Sequence, residues 1–147
     1  DLFAFTFLTA FPRTASNLNQ SGQQISADAR KMTPVESVFL TPPDWGEFRY
    51  TARRAIVVDF KAFLFTDTAM HTWYQRMIDC YGMPNQYGFE MLPDLQQNYR
   101  DITDDQLVVL QEKYGVDYAV LYRETITDFD VLVQNADYKL VVVNPPS

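Results

Sequence analysis

Apolar residues come in short runs separated by helix-spaced stretches. Val38-Phe39-Leu40, Ala55-Ile56-Val57-Val58 and Tyr118-Ala119-Val120-Leu121-Tyr122 show no polar alternation, the pattern of strands covered on both faces. Val131-Leu132-Val133 and Tyr138 to Val143 flank a short polar stretch containing Asn135-Ala136-Asp137, which predicts a hairpin. Between these runs, Met70, Trp73, Tyr74, Met77, Ile78 and Tyr81 recur at helical spacing, with Thr66 or Asp67 as the cap and Gly82 and Pro84 as the stop. Thr103-Asp104-Asp105-Gln106 reads as a capping box opening a helix whose inner stripe is Leu107, Leu110 and Tyr114 and whose end is Gly115. Shorter helices are predicted over Ser26 to Met32, stopped by Thr33-Pro34, and around Asp94 to Tyr99. Asp44 to Arg53 reads as a connector with one or two helical turns.

Helices between parallel runs imply right-handed crossovers. The predicted fold is α/β: a small three-layer Rossmann-like sandwich, with a mostly parallel central sheet and a C-terminal antiparallel hairpin. Residues 1–24 form an apolar N-terminal segment and polar linker, and residues 25–147 a single domain. Leu2 to Phe11 is too short to cross a bilayer, which takes roughly 20 apolar residues. It either docks on the core or is the trailing end of a membrane helix. The start at Asp1 suggests a fragment or processed product, and the missing basic flank argues against a cleavable signal peptide.

With 147 residues, 47% apolar and 21% charged, the chain is a single globular domain and not a disordered tail or coiled coil. Aromatics at 15% supply a large core for this length. The net charge of −7 gives no general electrostatic help toward nucleic acid, which is not an expected partner. One Cys and one His exclude a disulfide framework and a His/Cys metal cluster; no metal or cofactor is expected. Cys80, among Met77, Ile78 and Tyr81, reads as a small buried hydrophobe.

Ligands of open α/β sheets bind beyond the carboxyl ends of the strands. Thr41, Asp44 and Arg49 follow the first central run, and Asp59 and Lys61 end the second. Together they can place carboxylates and cations in one crevice suited to a phosphate or to sugar hydroxyls. The alternative is structural, with Asp59 and Lys61 held by Arg53, Arg54 or loop amides. Asp59-Phe60-Lys61 lacks the second Asp that a phosphatase needs two residues on, where Lys61 stands. His71 is read as a structural residue on a helix, and no Gly-x-Ser-x-Gly turn exists. Trp45, Phe48 and Tyr50, with Arg49, form either a stacking platform for a sugar or a lid on the sheet. Asp101, Asp104 and Asp105 mark a helix start, where carboxylates suit the dipole.

Ala27 to about Arg76 carries a further set: a short helix, Thr33-Pro34, Val38-Phe39-Leu40-Thr41-Pro42-Pro43, Phe48-Arg49, Arg54, Val58-Asp59-Phe60-Lys61, then Trp73 and Arg76. With the later hairpin bearing Asn135 and Tyr138, this resembles the C-terminal soluble region of uncharacterised bacterial polytopic membrane proteins. Their membrane portions are similar to C-type glycosyltransferases, which use lipid-linked sugar donors. The resemblance implies an accessory domain on the extracytoplasmic, periplasmic face of a bacterial membrane, not catalytic alone. Its implied partners are its own membrane portion and a sugar or lipid-linked sugar. The other function left open by the residues is a free-standing small α/β enzyme or binding module for a phosphate or sugar ligand. A third is an interaction module whose aromatic connector or first apolar run binds a protein partner.

Overall fold

Asn19 accepts the Gly22 backbone N–H at 2.7 Å, so the first described helix, α1, spans Gln20–Met32 and takes in residues that the pattern assigns to the linker. The boundary is hidden in the sequence because the first turn is polar. Gly22 sits there where an added Cβ would lie 3.3 Å from the Trp45 ring. The computed structural model describes residues 18–60, 67–86 and 88–143. Leu2 to Phe11 and Lys61 lie outside these described residues.

Five strands, β1 (Val38–Leu40), β2 (Ala55–Ile56), β3 (Tyr118–Tyr122), β4 (Val131–Gln134) and β5 (Tyr138–Val142), make one sheet in the order β2-β1-β3-β5-β4. β1 runs parallel to β2 and β3; β5 is antiparallel to β3 and to β4, closing the predicted hairpin. The chain is thus a mixed α/β fold. The second apolar run pairs beside the first, Phe39 opposite Ile56, but at the sheet's edge and for two residues only. Val57 still donates its N–H to Phe39 O, yet its carbonyl turns to Arg76, which ends the ladder.

Helices α2 (Phe48–Thr51), α3 (Asp67–Tyr81), α4 (Leu92–Arg100) and α5 (Asp104–Tyr114) complete the set, with a 3-10 turn at Gly88–Met91. The α5 start is the predicted capping box, and Gly115 ends it at φ 72. Alternation along the strands divides the buried side chains into two cores. Leu40, Ala119, Leu121 and Val141 pack with Met77, Cys80 and Tyr81 of α3, Leu95 and Tyr99 of α4, and Leu107 and Leu110 of α5. Phe39, Val120 and Leu140 pack with Ile25 and Ala29 of α1, Trp45, and Phe48 of α2. In this second core the Phe39 ring lies 5.0 Å from Phe48 and 5.3 Å from Tyr118, and Trp45 meets Tyr138 edge-on at 4.7 Å. Asn135 ties the hairpin turn to α1: its Nδ2 donates to Ser21 O at 2.8 Å while its Oδ1 accepts the Asp137 and Tyr138 N–H groups.

Arg54 joins α1 to the parallel half of the sheet. Its guanidinium is buried and makes five hydrogen bonds: to Thr33 Oγ1 and O, Arg30 O, Ala52 O and Arg53 O. The charge faces the carbonyl end of α1, where the helix dipole is negative. Arg54 forms no ion pair with a carboxylate among the described residues. Arg54→Met is therefore expected to lower stability by about 3 kcal/mol or more, since it strands buried carbonyls as well as removing charged bonds. Urea unfolding of the variant checks this; a loss within the ordinary surface range would show that Arg54 is dispensable.

Candidate functional site

The space between the carboxyl end of β1 and the neighbouring β3 is sealed. Tyr81 Oη donates to Thr41 O at 2.7 Å, and Tyr99 Oη donates to Val120 O at 2.6 Å. Both rings are buried and meet edge-on at 5.5 Å. Burial is the leading cause that pushes both phenols well above the ordinary tyrosine range, with the neighbouring buried groups adding to it. Thr41 is 2% exposed and closed off by this seal, so the predicted crevice does not open at β1.

An opening lies one strand over, at the end of β2. A cleft of about 310 Å³ is lined by Arg49, Ile56, Val57, Val58, Asp59, Thr72, Trp73 and Arg76. The fold brings Arg49 and Asp59 together there: Arg49 Nη2 donates to Asp59 Oδ2 at 2.7 Å, with the carboxylate far less exposed than the guanidinium. Asp44 sits in the left-handed region at φ 67, which Asp tolerates better than most residues, and does not line this cleft. Of the aromatic group, Trp45 and Phe48 are buried as a lid on the sheet, while Tyr50 stays out in solvent with the Arg49 guanidinium 5.5 Å from its ring.

Helix α3 supplies the opposite wall. Trp73 Nε1 donates to Asp59 O at 2.8 Å, and Arg76 Nη1 donates to Val57 O at 2.9 Å. These two bonds satisfy carbonyls that leave the sheet ladder after β2. The Arg76 guanidinium also lies 5.2 Å from the Tyr114 ring of α5. Tyr114 in turn donates to Asp79, which Lys113 bridges at 2.6 Å and to which Gln75 donates at 3.0 Å. Against the upward pull of burial, the bonds from Lys113, Tyr114 and Gln75 hold the Asp79 carboxyl below its usual range.

Residues 20–80 match a family described as a domain of unknown function, DUF6798. No curated protein and no solved structure matches the chain. The matched segment runs from α1 almost to the end of α3, so every residue lining the β2 cleft falls inside it. It stops before α4, α5, β3 and the hairpin.

Thr72, Trp73 and Arg76 line the cleft but are not among the crevice residues that the sequence predicts. Their signal was present: positions 72, 73 and 76 share one side of a helix by i, i+3 and i+4 spacing. What the spacing does not carry is which strand end that side meets. Cys80 is buried, and its thiol is pushed up to about 12 by burial and by Asp79, so it is a packed hydrophobe and not a reactive thiolate. His71 is exposed on α3. A larger concavity of about 570 Å³ surrounds the start of α5, with Arg100, Asp101, Asp104, Asp105, Glu124 and Asp128 among its walls. There Asp104 accepts from Thr127 Oγ1 and from the Asp128 N–H, and Glu124 pairs with Arg100. Those bonds fasten the loop between β3 and β4 to the end of α4 and the start of α5. Among the described residues, no group of carboxylate, His and Cys side chains is arranged to hold a metal, and no helix is long and apolar enough to cross a membrane.

A Cβ added at Gly46 would stand 2.6 Å from Asp59 Oδ1, so Gly46→Ala must displace the carboxylate that Arg49 holds. The expected loss is about 1–3 kcal/mol, read by thermal or urea unfolding. Asp79 has a folded-state pKa below its unfolded value, so its contribution to stability is complete above that unfolded value, near 4, and disappears as the pH falls through the lower folded value. Asp79→Asn is expected to be less stable near neutrality, with a shallower acid limb in its stability–pH curve than the parent protein.

Proposed function

We propose that this domain is a non-catalytic accessory domain of a bacterial membrane protein, placed on the extracytoplasmic face, and that it holds a sugar or lipid-linked sugar in the cleft at the end of β2. The observation that carries the reading is the cleft itself, where Arg49, Asp59, Trp73 and Arg76 converge on an apolar floor of Ile56, Val57 and Val58. A few polar groups over an apolar surface is the usual make-up of a small-ligand site. The resemblance of the stretch from Ala27 to Arg76 to soluble regions of glycosyltransferase-like membrane proteins supplies the setting. Packing of helices against two cores divided by the sheet supports a three-layer, Rossmann-like reading of the architecture.

The reading favours holding over turning over a ligand because the cleft's carboxylate, Asp59, is already engaged by Arg49. The alternative of a free-standing binding module uses the same cleft and differs only in what adjoins the domain. The binding claim is tested by titrating the domain with neutral monosaccharides and sugar phosphates while following the indole N–H resonance of Trp73. Saturable movement of that resonance with at least one sugar compound is expected. No movement with any of them would sink the sugar reading. Locating the full-length protein in membrane fractions, with this domain accessible to protease from the outside, tests the setting.

A further inference from the structure

We propose that the β2 cleft is a phosphate site, in which Arg49 and Arg76 together hold one phosphate group of the ligand. This deepens the reading above and rests on the same cleft. The chain as a whole carries −7, yet among the described residues this cleft is lined by two guanidiniums and one carboxylate. A local excess of positive charge in an acidic protein favours an anion.

The guanidiniums are set in place without being used up. Arg76 is fixed by one Nη1 bond to Val57 O and by the Tyr114 ring beside it, and it forms no ion pair among the described residues. Arg49 is fixed by one Nη2 bond to Asp59. Most N–H donors of both forks remain open toward a ligand. Planar forks of this kind match the oxygens of a tetrahedral oxyanion, and two of them cover more of a phosphate than of a single carboxylate group. Asp59 sets the threshold: an arriving phosphate competes with it for Arg49 and is repelled by it. Trp73 closes the assembly, since its bond to Asp59 O places the indole at the wall of the same cleft and makes it a local reporter.

The chemistry is shared by a free sugar phosphate and by the phosphate bridge of a lipid-linked sugar, so the test begins with inorganic phosphate alone. The indole resonance of Trp73 is followed in the whole chain against phosphate, acetate and chloride at constant ionic strength. Saturable movement with phosphate, and none with acetate or chloride, is expected. Arg76→Gln and Arg49→Gln are each expected to weaken phosphate binding by about tenfold or more, while Asp59→Asn tightens it. Melting curves of each variant establish that it is folded, and Arg76→Lys, which keeps the charge, is expected to recover part of the affinity. Absence of saturable phosphate binding, unchanged affinity in folded Arg76→Gln, or binding in Asp59→Asn no tighter than in the parent overturns the proposal. Movement with a neutral sugar but not with phosphate would overturn it while leaving the sugar reading intact. Movement with phosphate that no sugar moiety improves would do the reverse. Comparing a soluble sugar phosphate with vesicles carrying a polyprenyl-phosphate sugar then separates the two sources.

Discussion

The buried guanidinium of Arg54 is the constraint on which the parallel half of the molecule depends. Its bonds reach the last turn of α1, the Thr33 that follows it, and the carbonyls at Ala52 and Arg53 just before β2. Two stretches of chain, Arg30 to Thr33 and Ala52 to Arg54, are thereby fixed at one point. Arg53 is held at φ 54, a left-handed conformation that costs a non-glycine residue about 1 kcal/mol or more, and its carbonyl accepts one of those bonds. The turn thus directs β2 alongside β1. Everything at the cleft follows from that direction, because Val57 to Asp59 are the residues β2 releases at its end.

The seal between β1 and β3 explains why the open surface is at the sheet's margin. The strand connections leave β1 on one side toward β2 and return on the other to β3, an arrangement that ordinarily leaves a crevice between the two inner strands. Here Tyr81 and Tyr99 fill it, each hydroxyl donating to a carbonyl beside the end of β1. Helix α3 then contributes twice: Tyr81 at its end closes the inner position, while Trp73 and Arg76, earlier in the helix, line the outer one.

Much of this was legible in the residues. The capping box at Thr103, the left-handed Gly115, the hairpin around Asn135 and the lateral pairing of the first two apolar runs are local signals, and local chemistry decides them. The nearness of Arg49 and Asp59 could likewise be read from their places after neighbouring strands. What stayed hidden depends on distant partners. Asn19 and Gly22 look like linker until Asn19 caps the helix and Trp45 comes up against Gly22. Val57 and Val58 look like strand until Arg76 takes a carbonyl and α3 covers them. Thr41 looks available until Tyr81, some forty residues on, arrives at its carbonyl.

The clasp between Asn135 and Ser21 imposes an order on assembly. A nascent chain emerges from its N-terminus, so α1 and β1 leave the ribosome long before the residues that cover them. Phe39 and Ile25 reach their full packing only when Val120 and then Leu140 are delivered, and Asn135 fastens the helix in the same stroke. The second core therefore stays open until β5 is synthesised, and a chain arrested before that point would present its aromatic surface to whatever chaperone or aggregate is nearest.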